Sequence, residues 1–157
     1  MYDLNSRTSE PTIGYYVKVI HHVLEKQMNT FLKKLDLTKT QMDVLHYLAR
    51  NSAAGKAVKQ KDLETYFHIS NPSVSVMVDR LEYKGLLLRI KDDTDRRIRY
   101  LEPTEKAYSL MEEMHQAAVQ VESEMLKGIS ESDVDSTRST LKQIMNNMLE
   151  SEGGSKC

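Results

Sequence analysis

Cysteine occurs once among 157 residues, as Cys157 at the last position, so one chain holds no disulfide pair and no thiolate set for zinc. A reducing, intracellular setting suits such a chain. Glycine and proline are scarce as well, at six and three residues, about half their usual share. So few turn formers favour long helices over collagen-like, disordered or strand-rich organisation. No apolar run approaches the roughly 18 residues of a membrane span, and the opening MYDLNSRTSEPTIG lacks the basic then apolar order of a leader. A cytoplasmic protein with no membrane partner is expected. A glycine-rich phosphate loop, a G-x-S-x-G turn and an H-E-x-x-H pair are all missing, so no enzyme, cofactor or metal site is expected.

What is present is a length that suits one domain, residues 1–157, with 39% hydrophobic residues for a core. The net charge of -1 hides an uneven distribution. Residues 56–101 carry 10 basic against 7 acidic side chains, whereas residues 102–157 carry 5 against 11. A basic middle beside an acidic end would let a polyanion be held on one face.

Ile13, Val17, Ile20, Leu24, Met28, Phe31 and Leu35 advance by three or four, which predicts one long amphipathic helix over 12–34. A second helix is predicted after Thr38 or Thr40, with Met42, Leu45 and Leu48 inward, ending at a loop over 51–57. Leu63, Tyr66 and Phe67 mark a short third helix from about Lys59. The fourth is punctuated at both ends, by Asn71 as N-cap with Pro72 behind it and by Gly85 as left-handed cap. Its inward stripe is Val74, Val78 and Leu81, with Met77 beside it, which leaves Ser73, Val76 and Arg80 on the other side.

After Gly85, LLLRI and RRIRYL flank the turn formers 91–95 and read as a two-stranded hairpin. Two more helices are predicted, over 104–127 and 131–150, followed by a disordered tail over 151–157. The sum is a mainly α fold with a small β-hairpin wing: a winged helix-turn-helix lobe over 39–103 beside helical segments 12–34 and 104–150. The long apolar stripes of those segments lack enough other core to cover them, so pairing into a homodimer is expected. A short helix, a tight turn, a capped helix and a charged hairpin suit entry of the capped helix into the major groove of double-stranded DNA.

Over residues 39–106 the sequence resembles the multiple-antibiotic-resistance regulator (MarR) family, through SNPSVSVMVDRLEYKGLLLRI and DDTDRRIRYLEPTEKA. Asp79-Arg80-Leu81-Glu82, Gly85, Asp95, Arg97 and Thr104 stand where the family pattern has its D-R-L-E, glycine, D-x-R wing and helix-opening threonine. The resemblance implies a homodimeric transcriptional regulator on a pseudo-palindromic operator, acting as a repressor released by a small aromatic or phenolic ligand. It places that ligand where the dimer helices meet the winged lobe, for which Tyr15, Tyr16, His22 and Met28 are the candidates.

For DNA, Arg97 and Arg96 are expected to reach the backbone or minor groove from the wing, with Asp95 orienting Arg97 by a charge-assisted hydrogen bond. Lys59, Lys61, Arg80 and Lys84 are candidate phosphate contacts. Asn71, Ser73 and Ser75 are candidate donors and acceptors toward bases and phosphates. Val76 stands where many family members have a long polar residue, which points to thymine methyls and an A·T-rich operator. Lys59 in place of a capping serine or threonine weakens the third helix's cap, and Pro103 is expected to shift the end of the second wing strand.

Plainer readings exist for each feature. Arginines on a hairpin are usually a solvated face, Asn71 and Ser73 serve a helix start in any case, and tyrosines on a helix stripe are more often core. His21 and His22 point to different sides of a helix, which weighs against a metal. A winged-helix protein-interaction module or antirepressor that does not bind DNA is the competing function, favoured by the acidic last third.

Overall fold

The computed structural model describes residues 10–153. Six helices and one hairpin follow in the order α1 Ile13–Lys34, α2 Lys39–Ala53, α3 Gln60–Phe67, α4 Asn71–Tyr83, β1 Leu87–Lys91, β2 Arg99–Pro103, α5 Glu105–Met125 and α6 Glu131–Gly153. The expected winged-helix architecture is present. Among the described residues, no helix is long and apolar enough to cross a membrane.

Local chemistry accounts for most boundaries. Thr12 caps α1 by accepting from the Tyr15 amide at 3.3 Å. Thr38 and Gln41 close a reciprocal capping box on α2, at 3.2 and 3.0 Å. The Asp62 carboxylate accepts the Lys59 N–H at 2.7 Å and supplies half of such a box to α3, which Lys59 itself could not cap. Gly85, at φ +69, turns the chain out of α4 into β1 at little steric cost.

Four expectations shift. α2 runs through Ala53, so the expected loop over 51–57 begins only at Ala54; Asn51, Ser52 and Ala53 form the extra turn. The N-cap of α4 is Ser70, whose carbonyl accepts from Val74 at 3.0 Å. Asn71 is drawn instead into the first turn, donating to Glu64 of α3 at 2.5 Å. The wing strands are offset from the two apolar runs because the tip is longer, spanning 92–98. α6 continues to Gly153, past the expected start of a disordered tail at 151; the rest of that tail, with Cys157, lies outside the described residues.

Two compact units divide within α5, after Gln116. The first contains the core: Leu45, Leu48, Leu63, Val74, Val78, Leu81 and Leu87 are all 0–1% exposed. β1 and β2 pair antiparallel from Leu87 with Pro103 to Lys91 with Arg99, and the Leu101 N–H donates to the Val58 carbonyl at 2.8 Å, fastening the wing to the segment entering α3. Pro103 ends β2 buried, a position that demands no further ladder donor. Along α1, Ile13, Tyr16, Val17, Ile20 and Leu24 stay exposed. In the second unit, no described residue of α6 is buried, and Leu141, Met145 and Met148 are open.

Leu81 carries the largest side chain of the α4 stripe into this core. Leu81→Ala is expected to cost about 2–5 kcal/mol, read as a lower denaturant midpoint at fixed protein concentration.

Candidate nucleic-acid interface

The period of α4 seals Val74, Val78 and Leu81 inside and turns Ser73, Val76 and Arg80 outward, with Val76 52% exposed. The N-terminal turn of that outward side is tied to its surroundings. Ser70 and Ser73 hydroxyls share a hydrogen bond at 3.0 Å, and the Gln60 amide donates to Ser75 Oγ at 2.7 Å. Ser75 is thereby left with its hydroxyl hydrogen to offer, which fits an acceptor on a partner.

The wing tip is organised around one carboxylate. Asp92 Oδ1 accepts from the Thr94 amide at 2.8 Å, the Thr94 hydroxyl at 2.5 Å and the Asp95 amide at 2.9 Å, while its Oδ2 accepts from the Tyr100 hydroxyl at 3.1 Å. These donors, the Thr94 hydroxyl first, hold the Asp92 carboxyl below its ordinary range, and the same contact raises the Tyr100 phenol. The turn so formed presents Asp95, which takes the Arg97 guanidinium by two parallel bonds at 3.0 Å and the Arg97 amide at 3.0 Å. This pairing lowers the Asp95 carboxyl and raises Arg97. The Arg97 side chain remains 92% exposed, so it is aimed by its neighbour without being covered. The hydrogen bonds expected between Asp95 and the Arg97 guanidinium are present.

Lys61, Arg80 and Arg96 are exposed. Lys59 is exposed too, with its ammonium 5.6 Å from the centre of the Tyr100 ring, beside β2, the strand that follows the wing arginines. Lys84 departs from expectation: its Nζ donates to the Asp36 carboxylate at 2.8 Å and also to the Asp36 carbonyl, which folds it away from solvent. Its ammonium is already occupied within the subunit, so it does not stand among the outward cations.

Sequence reasoning missed Arg89. Its side chain is only 17% exposed and bonds to both Asp79 and Glu82 of α4, clamping β1 to that helix. Asp79 and Glu82 at i and i+3, followed by an arginine in the next strand, were the available signal. Gln60 was missed for a different reason: its partner Ser75 lies on another helix.

The four ligand candidates all lie on α1. Tyr15 and Tyr16 meet edge to face at 5.8 Å and are about half exposed. Met28 is half-buried and packs against the core. His22 lines an open cleft along α1 with Glu25, Lys26, Asn29, Thr30 and Lys33. All six of these residues are polar or charged, whereas an aromatic-ligand pocket is usually lined by apolar and aromatic side chains. His21 pairs with Glu25 at 3.5 Å.

A family model described as the MarR family matches residues 35–98. The chain is 32% identical to the transcription regulator MarR from Oenococcus oeni, with 86% of this chain and 99% of that one covered and a TM-score of 0.53. MepR, a transcription regulator of the Staphylococcus aureus multidrug efflux pump MepA, is similar at 22% identity and TM-score 0.76, covering 88% of this chain and 99% of that one. A S. aureus MepR–DNA complex is similar at 22% identity and TM-score 0.73, covering 86% and 98%. The two MepR likenesses carry the fold alone.

Because the folded Asp92 carboxyl is depressed, its contribution to the wing tip is present at neutral pH and is lost only as the pH falls through that depressed value. Tyr100→Phe removes one donor, so the Asp92 midpoint followed by carboxyl NMR is expected to rise toward 3.8, its ordinary value. An unmoved midpoint would show that the phenol contributes nothing there.

Proposed function

The chain belongs to the MarR family of transcription regulators, and from that premise we propose that it binds double-stranded DNA as a homodimer and represses transcription until a small ligand releases it. The observation that carries this reading is the pairing of an outward Ser73–Val76–Arg80 side on α4 with a wing arginine, Arg97, that is exposed and held by Asp95. A helix presented in this way fits the major groove, and a fixed guanidinium fits the adjacent backbone or narrow groove.

In this reading Lys59, Lys61, Arg80 and Arg96 neutralise phosphates, while Asn71, Ser73, Ser75 and Val76 meet base edges or the backbone near them. Val76 offers only methyl groups, which match thymine. The exposed apolar residues of α1 and α6 support pairing of two copies, since faces of this kind seldom stay open in water. Half-sites then lie about 10 bp apart or a multiple of it. The dimer helices also provide the setting for an aromatic or phenolic effector, with Tyr15, Tyr16 and His22 nearest to hand; the cytoplasm is the compartment that this work requires.

Selection of bound duplexes from a random pool, followed by gel shift, tests the reading. The wild type is expected to select an inverted repeat, and Arg97→Ala to lose about tenfold to hundredfold in affinity. With about eight phosphate contacts per dimer, affinity falls by about four orders of magnitude between roughly 50 and 200 mM salt. A flat salt dependence, or no selected sequence, favours the protein-interaction module instead, in which the winged lobe contacts a protein.

A further inference from the structure

The C-terminal end of α4 is a junction of three elements. The Lys84 carbonyl accepts from Lys106 Nζ of α5 at 2.8 Å. The Gly85 carbonyl accepts from the Thr104 hydroxyl at 2.7 Å, and the Leu86 carbonyl from the Thr104 amide at 3.2 Å. These tie α4 to the start of α5. On its other side, Lys84 Nζ reaches the turn between α1 and α2, where Asp36 offers both its carboxylate, at 2.8 Å, and its main-chain carbonyl. Asp36 sits at φ 53, a left-handed position that aspartate tolerates better than most residues. Arg80 adds its charge to the attraction felt by the same carboxylate.

We propose that Asp36 and Lys84 are a positioning pair that sets the pitch of α4 against the end of α1, and that Lys84 acts through this contact and makes none with phosphate. The proposal rests on the DNA-binding reading given above. The Lys84 side chain is 23% exposed and that of Asp36 95%, so the lysine is folded onto the protein while the aspartate stands in water. An ion pair open to solvent on one side contributes little to folding. It still selects one approach of two elements that are 48 residues apart in sequence. In a paired molecule α1 carries the uncovered apolar stripe, so the pitch of α4 against α1 fixes how far apart two copies hold their outward helix faces.

Asp36→Asn, Lys84→Gln and the exchanged D36K/K84D protein distinguish the two roles, by titration of a selected operator at several salt concentrations. The positioning role predicts about threefold to tenfold weaker binding for each single variant with the wild-type salt slope, and partial recovery in the exchanged protein, which restores the opposite charges but not the bond to the main-chain carbonyl at position 36. The proposal is overturned if Asp36→Asn binds as well as wild type or better while Lys84→Gln loses affinity with a shallower slope, or if the exchange recovers nothing. Failure of the wild type to bind any duplex overturns the DNA-binding reading instead. The pair is then judged by amide exchange at Lys84, Gly85 and Leu86: acceleration in both single variants with restoration in the exchanged protein supports it, and unchanged rates refute it.

Discussion

Everything outward on this lobe depends on α4 burying one side of a short helix completely. Val74, Val78 and Leu81 have no exposed surface, and their spacing leaves Ser73, Val76 and Arg80 no direction but away from the core. The wing obeys the same constraint from the other side, because Leu87 and Leu101 close over that core and β1 must therefore leave α4 at Gly85. A slip of one residue in the hairpin would turn Leu87 or Leu101 outward, and in the second strand would bring Tyr100 or Glu102 inward in place of Leu101, so the wing's register and the helix's facing are settled by one packing event.

Polar contacts then refine what the core has decided. Arg89 joins β1 to Asp79 and Glu82, Gln60 joins α3 to Ser75, and Asp92 gathers the tip of the wing. Each joins groups that apolar packing alone would leave free to rotate. The Arg89 contact has the most at stake, since its guanidinium is largely withdrawn from water and loss of one carboxylate would leave that charge poorly matched. The exposed contacts contribute chiefly to direction.

Periodicity made α1 and the inward stripe of α4 legible in the sequence, because three-and-four spacing is a local property that folding preserves. The D-x-R pattern likewise announced the Asp95–Arg97 pairing, whose members are only two residues apart. What escaped the sequence was long in range. Lys84 reads as a free cation until Asp36 is brought beside it, and Arg89 reads as one more wing arginine until α4 lies across it. Asn71 and Ser70 are both good cap formers, and the choice between them was made by Glu64 on another helix. Met28 shows how a stripe residue looks the same in sequence whether it meets core or ligand.

The hold of Asp95 on Arg97 carries an entropic consequence. A long cationic side chain normally surrenders several freely rotating torsions when it docks, and that loss opposes association. Here two parallel hydrogen bonds and a main-chain bond at 3.0 Å have already taken most of that freedom in the unbound lobe. If the wing docks on DNA as proposed, its arginine arrives partly ordered, so less of the contact energy is lost to immobilising it.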